Sequence, residues 1–233
     1  MALFAIGDLH LSFQTDKSMD TFGGVWVNHE QKVIENFNAE VKPEDTLVLV
    51  GDHSWGRNLA ECQTDLEFIE ALPGRKILTR GNHDMFWESG KTHKLNTMFK
   101  GKLEFLQGQY FCTYNDVALV GTKGYTYEGS DTPDHAAMLV DREMDRLQQS
   151  FEAARKAGYT RYIVFLHYPP TSILEEESGF TALCEHYHAE QVVYAHCHGE
   201  ERFHDSIEGN FHGIEYSLVS GDSLNWHPKK ILD

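Results

Sequence analysis

Five short polar segments constrain this chain more than any other feature. They are Asp8-Leu9-His10, Gly51-Asp52-His53, Gly81-Asn82-His83-Asp84, His167 within Leu166-His167-Tyr168, and His196-Cys197-His198. Four of the five directly follow an apolar run, as the ends of strands do. Loops at strand ends gather side chains from distant parts of a chain. Carboxylates, imidazoles and an amide oxygen collected in this way form a ligand set for two metal ions rather than one.

The rest of the chain reads as the scaffold for those ends. Leu3–Ile6, Thr46–Val50, Lys76–Thr79, Val117–Val120, Tyr162–Leu166 and Gln191–Ala195 are short apolar runs of the kind that form buried strands. Between them apolar residues recur at helical spacing. Val33, Ile34, Phe37 and Val41 form one such series, and Leu59, Cys62, Leu66, Ile69 and Leu72 a second, stopped by Pro73-Gly74. Met138, Met144, Leu147, Phe151 and Ala154 form a third, ended by Gly158. Strands alternating with helices predict an α/β core with largely parallel pairing. After His198 the pattern changes, and Phe211–Val219 reads as one strand of an antiparallel part. No repeat or low-complexity linker divides the 233 residues, so residues 1–233 are expected to fold as one domain.

Composition narrows the partners. Apolar residues make up 41% of the chain, enough for a globular core. No apolar run approaches the roughly 20 residues of a membrane span. Ala2–Ile6 lacks a basic flank and runs straight into Asp8, so it reads as a first strand and not a signal peptide, which points to the cytoplasm. The four cysteines are scattered without a C-x-x-C pair, as suits a reducing compartment. Cys197 lies between two candidate ligands. In a strand it would face the other way, into the core. The formal net charge of −16 repels nucleic-acid backbones and anionic membranes. One stretch departs from this. Between Pro73 and Lys102 seven basic residues outnumber two acidic ones. It is either a solvated helix face or a positive rim beside Gly81-Asn82-His83-Asp84. Oligomeric state leaves no mark in the sequence.

Each motif has an ordinary reading beside the chemical one. Asp8 and His10 are two apart, so on an extended strand they share a face about 7 Å apart and converge on one ion. Alone, such a pair is most often a capped turn, and His196 with His198 recurs by chance in the same way. Gly51 permits a sharp exit from a strand. The two oxygens of Asp52 allow it to bridge two cations. Gly81-Asn82 is turn chemistry, yet Asn82 offers an amide oxygen to a hard cation and leaves His83 free for proton transfer. A lone histidine such as His167 is usually a satisfied core residue. The ordered combination is what carries weight.

The order Asp-x-His, Gly-Asp, Gly-Asn-His-Asp, His, His-x-His resembles the calcineurin-like metallophosphoesterase superfamily, over residues 8 to 198. The resemblance implies a four-layer α/β/β/α sandwich, two mixed β-sheets flanked by helices, with a dimetal site at strand ends. It implies one metal held by Asp8, His10, Asp52 and His198, and a second held by Asp52, Asn82, His167 and His196, with Asp52 bridging. His83 would be the catalytic imidazole. Mixed nitrogen and oxygen ligation suits Mn, Fe, Zn or Co better than Mg alone, and the resemblance favours manganese or iron. Two departures matter. Ala195 stands where the last motif usually has glycine. Trp55 stands where protein serine/threonine phosphatases of the superfamily carry a second aspartate, which speaks against a protein phosphatase. The opening Asp8-Leu9-His10-Leu11 also resembles bacterial UDP-diacylglucosamine pyrophosphatases. Those usually lack the histidine of the Gly-Asn motif, so that reading ranks lower.

Two metals about 3.5–4 Å apart acidify a bridging water and clamp phosphoryl oxygens, so the expected activity is hydrolysis of small phosphoesters by a metal-bridging hydroxide. His83 would protonate the leaving group, with Asp84 orienting it. His53 and Trp55 would line the pocket, and Tyr125 and Tyr127 would contact substrate, with loop packing as the plainer role for all four. A nuclease of the DNA-repair type conflicts with the acidic charge. A non-catalytic scaffold of the same fold conflicts with the retention of every ligand and of His83.

Overall fold

The computed structural model describes residues 1–126, 131–173 and 175–233. Two sheets carry the molecule. The first has the order β11-β1-β2-β3-β4, with β1 (Leu3–Ile6), β2 (Thr46–Val50), β3 (Arg75–Thr79) and β4 (Leu103–Leu106) mutually parallel and β11 (Lys229–Leu232) antiparallel to β1. The second has the order β5-β6-β7-β8-β10-β9, formed by β5 (Phe111–Tyr114), β6 (Val117–Thr122), β7 (Tyr162–Leu166), β8 (Gln191–Tyr194), β9 (Gly209–Phe211) and β10 (Ile214–Leu218). Its four central strands are parallel and its two edges antiparallel.

The two-residue period of each strand explains the layering. Leu3, Ala5, Val48, Val50 and Ile77 of the first sheet meet Val117, Leu119, Ile163, Phe165 and Val193 of the second in one buried layer between the sheets. Their alternating neighbours face outward. Phe4, Ile6, Leu47, Leu49 and Leu78 pack under Val33 and Phe37 of α1 (His29–Glu40), Leu66 and Ile69 of α2 (Gln63–Ala71) and Leu95 of α3 (Thr92–Met98). Val120, Val164, Leu166 and Val192 pack under Leu147, Phe151 and Ala154 of α4 (Pro133–Lys156) and Phe180 and Cys184 of α5 (Gly179–His186). The strands are therefore apolar on both faces, and each fully buried side chain contributes roughly 1.5–3 kcal/mol. The result is an α/β/β/α sandwich of two mixed sheets. Among the described residues no helix is long and apolar enough to cross a membrane.

The structure redraws the C-terminal part. Phe211–Val219 is not one strand: β9 and β10 form a hairpin around His212 (φ 51°) and Gly213 (φ 83°), the positive-φ pair of a tight two-residue turn. β10 then pairs in parallel with β8, so in the C-terminal part the antiparallel pairs among the described strands are the β9–β10 hairpin and β11 with β1. Helix α4 begins earlier than its apolar series, because Thr132 accepts from the His135 N–H and Pro133 opens the first turn.

Candidate metal centre

The polar segments gather where the carboxyl ends of both sheets meet. Asp8, Asp52 and Asn82 follow β1, β2 and β3, and His167 and His196 follow β7 and β8. None of these residues lies in a strand, and the pleat does not bring them together. Asp8 (φ 62°), His10 (φ 43°), Asp52 (φ 52°) and His196 (φ 73°) all adopt left-handed backbone conformations. Such a conformation costs an L-residue roughly 1–2 kcal/mol, and aspartate and histidine tolerate it better than most. Backbone bonds hold these turns: the Asp8 N–H donates to Gly51 O (3.0 Å) and the His10 N–H to Asp52 O (2.9 Å). Gly81 is needed for close approach, since a Cβ there would lie 2.0 Å from Asp52 Oδ1. Ala195 is accommodated because it packs against Gly7, which has no side chain.

Each carboxylate spends one oxygen on the backbone and leaves the other for the centre. Asp8 Oδ2 accepts from the His196 N–H (2.9 Å), while the buried Oδ1 has no hydrogen-bond partner. Asp52 Oδ1 accepts from the His83 N–H (2.8 Å), while Oδ2 lies 3.7 Å from His10 Nε2 and 3.5 Å from His167 Nε2. Asp8, His10 and His198 form one group of converging ligand atoms, and Asp52, His167 and His196 a second, each within 4.8 Å.

The imidazole tautomers follow from their outer partners. His167 Nδ1–H donates to Val50 O (3.1 Å), so Nε2 carries a lone pair. That lone pair faces Asn82 Oδ1 at 2.7 Å and His196 Nδ1 at 3.2 Å. His198 Nδ1–H donates to Asp222 Oδ1 (3.0 Å), so its Nε2 lone pair faces His10 Nε2 at 3.3 Å. The His167 Nε2 lone pair and Asn82 Oδ1, both acceptors, face each other in a buried space and fit a cation between them, with nitrogen and oxygen donors suited to first-row divalent metals. Electrostatics agree. Burial, with the Asp84 and Asp8 carboxylates adding to it, pushes the Asp52 carboxyl well above its usual range, and burial drives the His10 and His167 imidazoles well below theirs. Burial also opposes charge on His198, yet the Asp8 and Asp222 carboxylates outweigh it and raise that imidazole. Divalent cations would offset the first of these costs directly.

The remaining expected residues separate into two sets. His83 is partly exposed, with its ring 4.3 Å from Trp55 and 5.5 Å from His10. Burial lowers its imidazole, against the pull of Asp84. His83 and Trp55 line a cleft of about 850 Å³ together with Lys17, Arg57, Glu61 and Met85. Trp55 stacks on His10 at 4.9 Å and carries Lys17 Nζ 4.2 Å above its ring. By contrast, Asp84 does not hydrogen-bond to the His83 ring. Its carboxylate accepts from the backbone N–H groups of Asp52 (3.0 Å), His53 (2.8 Å) and Gly81 (2.7 Å), so it ties two ligand loops together. His53 does not line the pocket either. It is fully buried, with Nε2 bonded to Thr79 O at 2.8 Å, because its backbone is held down by Asp84. Tyr125 is largely buried, its hydroxyl bonded to Asp131 and its ring 5.6 Å from Tyr168. Tyr127 lies outside the described residues. Cys197 is buried in the core of the second sheet and its helices.

Most of the basic stretch does not form a rim around the centre; Arg80, next to Gly81, is the exception. Arg75, Lys76, Lys100 and Lys102 lie together at the amino end of β3, across the sheet from Asn82. Arg75 pairs with Glu104, and Lys102 with Glu70. The sequence reading also passed over Asp222, which takes the Gly199 N–H (2.9 Å) as well as His198. Its signal was present: Ser220-Gly221-Asp222 follows an apolar strand as Gly51-Asp52 does. Tyr168, whose ring lies 4.2 Å from that of His196, was missed because an aromatic after a strand is ordinary core.

Known proteins bear on this geometry. No curated protein matches the chain in sequence. Among solved structures, the phosphopantetheinyl hydrolase PptH from Mycobacterium tuberculosis is similar over 99% of this chain and 95% of its own, at 15% identity and a TM-score of 0.59. The protein TT1561 of Thermus thermophilus is similar over 99% and 97%, at 10% identity and a TM-score of 0.55. Likeness at that level is likeness of fold. Residues 1–200 match the calcineurin-like phosphoesterases as a family, which implies a binuclear metal site. With the two groups of candidate ligands at its strand ends, the chain belongs to that family and is a phosphoester-hydrolysing enzyme.

Proposed function

We propose that this enzyme hydrolyses small phosphoesters, nucleotides and phosphodiesters among them, with two divalent ions, manganese or iron before zinc or cobalt. One ion would be held by Asp8, His10, Asp52 and His198, the other by Asp52, Asn82, His167 and His196. The observation that carries the reading is the Asp52 carboxylate, whose free Oδ2 lies within 3.7 Å of imidazole nitrogens from both groups. Two ions bound there would acidify a water toward neutrality and neutralise phosphoryl oxygens.

The protein's own residues supply the rest. His83 faces the cleft, has an imidazole that titrates below its usual range, and is tied through its N–H to Asp52. It would hold a proton for the leaving oxygen of the substrate. Trp55, packed on both His10 and His83, fixes the two rings relative to each other. The leaving group would occupy the cleft, whose lining of Asp16, Lys17, Arg57 and Glu61 is too mixed in charge to favour a duplex backbone. The net charge of −16 supports the same preference for small substrates.

The test is metal analysis followed by a substrate panel. Purified protein reconstituted with manganese or iron should hold two ions per chain and hydrolyse phosphomonoesters, phosphodiesters or nucleotides. Protein that holds fewer than two ions, or binds duplex DNA at sub-micromolar affinity in physiological salt, would refute the assignment.

A further inference from the structure

Two cations next to the candidate metal centre have no partner that explains them. Arg80 is the first residue after β3, and Lys123 the first after β6, so one comes from each sheet. Both lie on the Asn82–His167 side of the centre. Arg80 precedes Gly81, which packs against Asp52. The carbonyl of Lys123 accepts from the His167 N–H (3.1 Å) and the Tyr168 N–H (2.9 Å). Its Nζ lies 4.8 Å from the centre of the Tyr168 ring, which in turn lies 4.2 Å from His196.

Neither cation has a hydrogen bond or ion pair to its charged end among the described residues, and Arg80 Nε is buried without one. The nearby carboxylates are already engaged, Asp84 by three backbone N–H groups and Asp52 Oδ1 by the His83 N–H. Glu143 of α4 is fully buried, and its oxygens accept from Thr122 Oγ1 (2.6 Å), Gln107 Nε2 (3.4 Å), Arg142 Nη2 (3.5 Å) and Arg146 Nη1. Burial opposes charge on both, and the Arg80 charge adds to that cost at Lys123, while Glu143 pulls on both, Asp84 on Arg80 and Asp52 on Lys123. A chain of net charge −16 thus keeps two cations without a hydrogen-bonded or ion-paired carboxylate beside its most buried candidate ligands.

We propose that Arg80 and Lys123 form a subsite for a dianionic phosphoryl group, adjoining the Asn82, His167 and His196 end of the centre. The inference rests on the phosphoesterase reading above. Guanidinium presents a planar fork of donors and ammonium a compact charge, and together they match a tetrahedral oxyanion. The Tyr168 face holds the ammonium in place. The group bound is either the scissile phosphoryl's own terminal oxygen or a second phosphate on the same substrate.

The experiment compares metal-loaded wild type with Lys123→Gln, Arg80→Gln and the conservative Arg80→Lys, after checking Tm and metal content. Three substrates are used: 4-nitrophenyl phosphate, a nucleoside 5′-diphosphate and bis(4-nitrophenyl) phosphate, which lacks a dianionic group. Each glutamine variant should lose about 10–100-fold in kcat/KM on dianionic substrates, mostly through KM, as loss of a charged hydrogen bond predicts. Activity on bis(4-nitrophenyl) phosphate should be kept, and Arg80→Lys should recover part of the loss. A loss on 4-nitrophenyl phosphate identifies the scissile group's own oxygen, and a loss confined to the diphosphate identifies a second phosphate; either supports the subsite. Equal losses on all three substrates, or none, overturn it. If wild type hydrolyses none of them, the phosphoesterase reading fails instead. Calorimetry with inorganic phosphate then decides: binding weakened in both glutamine variants keeps the subsite, and unchanged binding removes it.

Discussion

The two halves of the candidate centre are built differently. In the half formed by Asp8, His10 and His198, the His198 side chain is 30% exposed and its outer nitrogen is backed by the Asp222 carboxylate. In the half formed by Asp52, His167 and His196 all three residues are buried, and His167 is backed by a backbone carbonyl. A carboxylate behind a histidine raises its basicity and fixes its ring, whereas a carbonyl mainly fixes the ring. The open half thus depends on an outer charge, and the closed half on enclosure. An ion in the open half should exchange sooner, and Asp52, which faces both, should control occupancy of the pair.

The largest effect should come from Asp52→Ala. Asp52 is the ligand proposed to serve both ions, so this variant should lose more bound metal than any other single ligand change and fall to background activity. Elemental analysis checks it, and two ions retained per chain would dissolve the distinction between shared and private ligands.

His83→Ala separates chemistry from metal retention. Both ions should stay while kcat falls by roughly 10²–10⁴. The fall should be smaller with nitrophenolate as leaving group, which needs little protonation. Equal falls for good and poor leaving groups would exclude proton donation by His83.

Asp222→Asn addresses the open half alone. Metal affinity there should drop about 10–100-fold, while the closed half keeps its ion. Titration with a chelator would show one ion released early and the other late. Parallel loss of both would mean that the halves act as one unit.

The smallest expected effect is on stability. Partial chelation that empties the open half should lower Tm only modestly. Removing both ions should lower it further, because an ion that binds only the folded state stabilises it in proportion to the logarithm of its occupancy ratio, which is larger for the tighter, closed half. Calorimetry at increasing chelator resolves two steps if the comparison holds and one if it does not.

Much of this arrangement was legible before any coordinates. Six strands were anticipated nearly residue for residue, because apolar runs such as Thr46–Val50 are buried on both faces. Short elements such as β5 and α3 escaped, since four to seven residues leave too little periodicity to read. The orienting role expected of Asp84 and the pocket-lining role offered for His53, whose plainer reading was loop packing, gave way for one shared reason. Their partners are backbone groups of neighbouring loops, and backbone groups carry no residue-specific signal.

The sequence by itself determined the inventory of candidate ligands, its order and its location at strand ends. An unbroken apolar run of four or five residues is a local property, and it already marks a strand buried on both faces. The tertiary structure decided how the ligands converge. The left-handed turns at Asp8, His10, Asp52 and His196 replaced the extended pleat that spacing alone suggested. The bond from the His196 N–H to Asp8 crosses 188 residues, and Asp222 reaches His198 only after β8 and β10 pair. Contacts of that range exist only once two sheets have docked, because they depend on the relative placement of whole layers and not on any short window of residues.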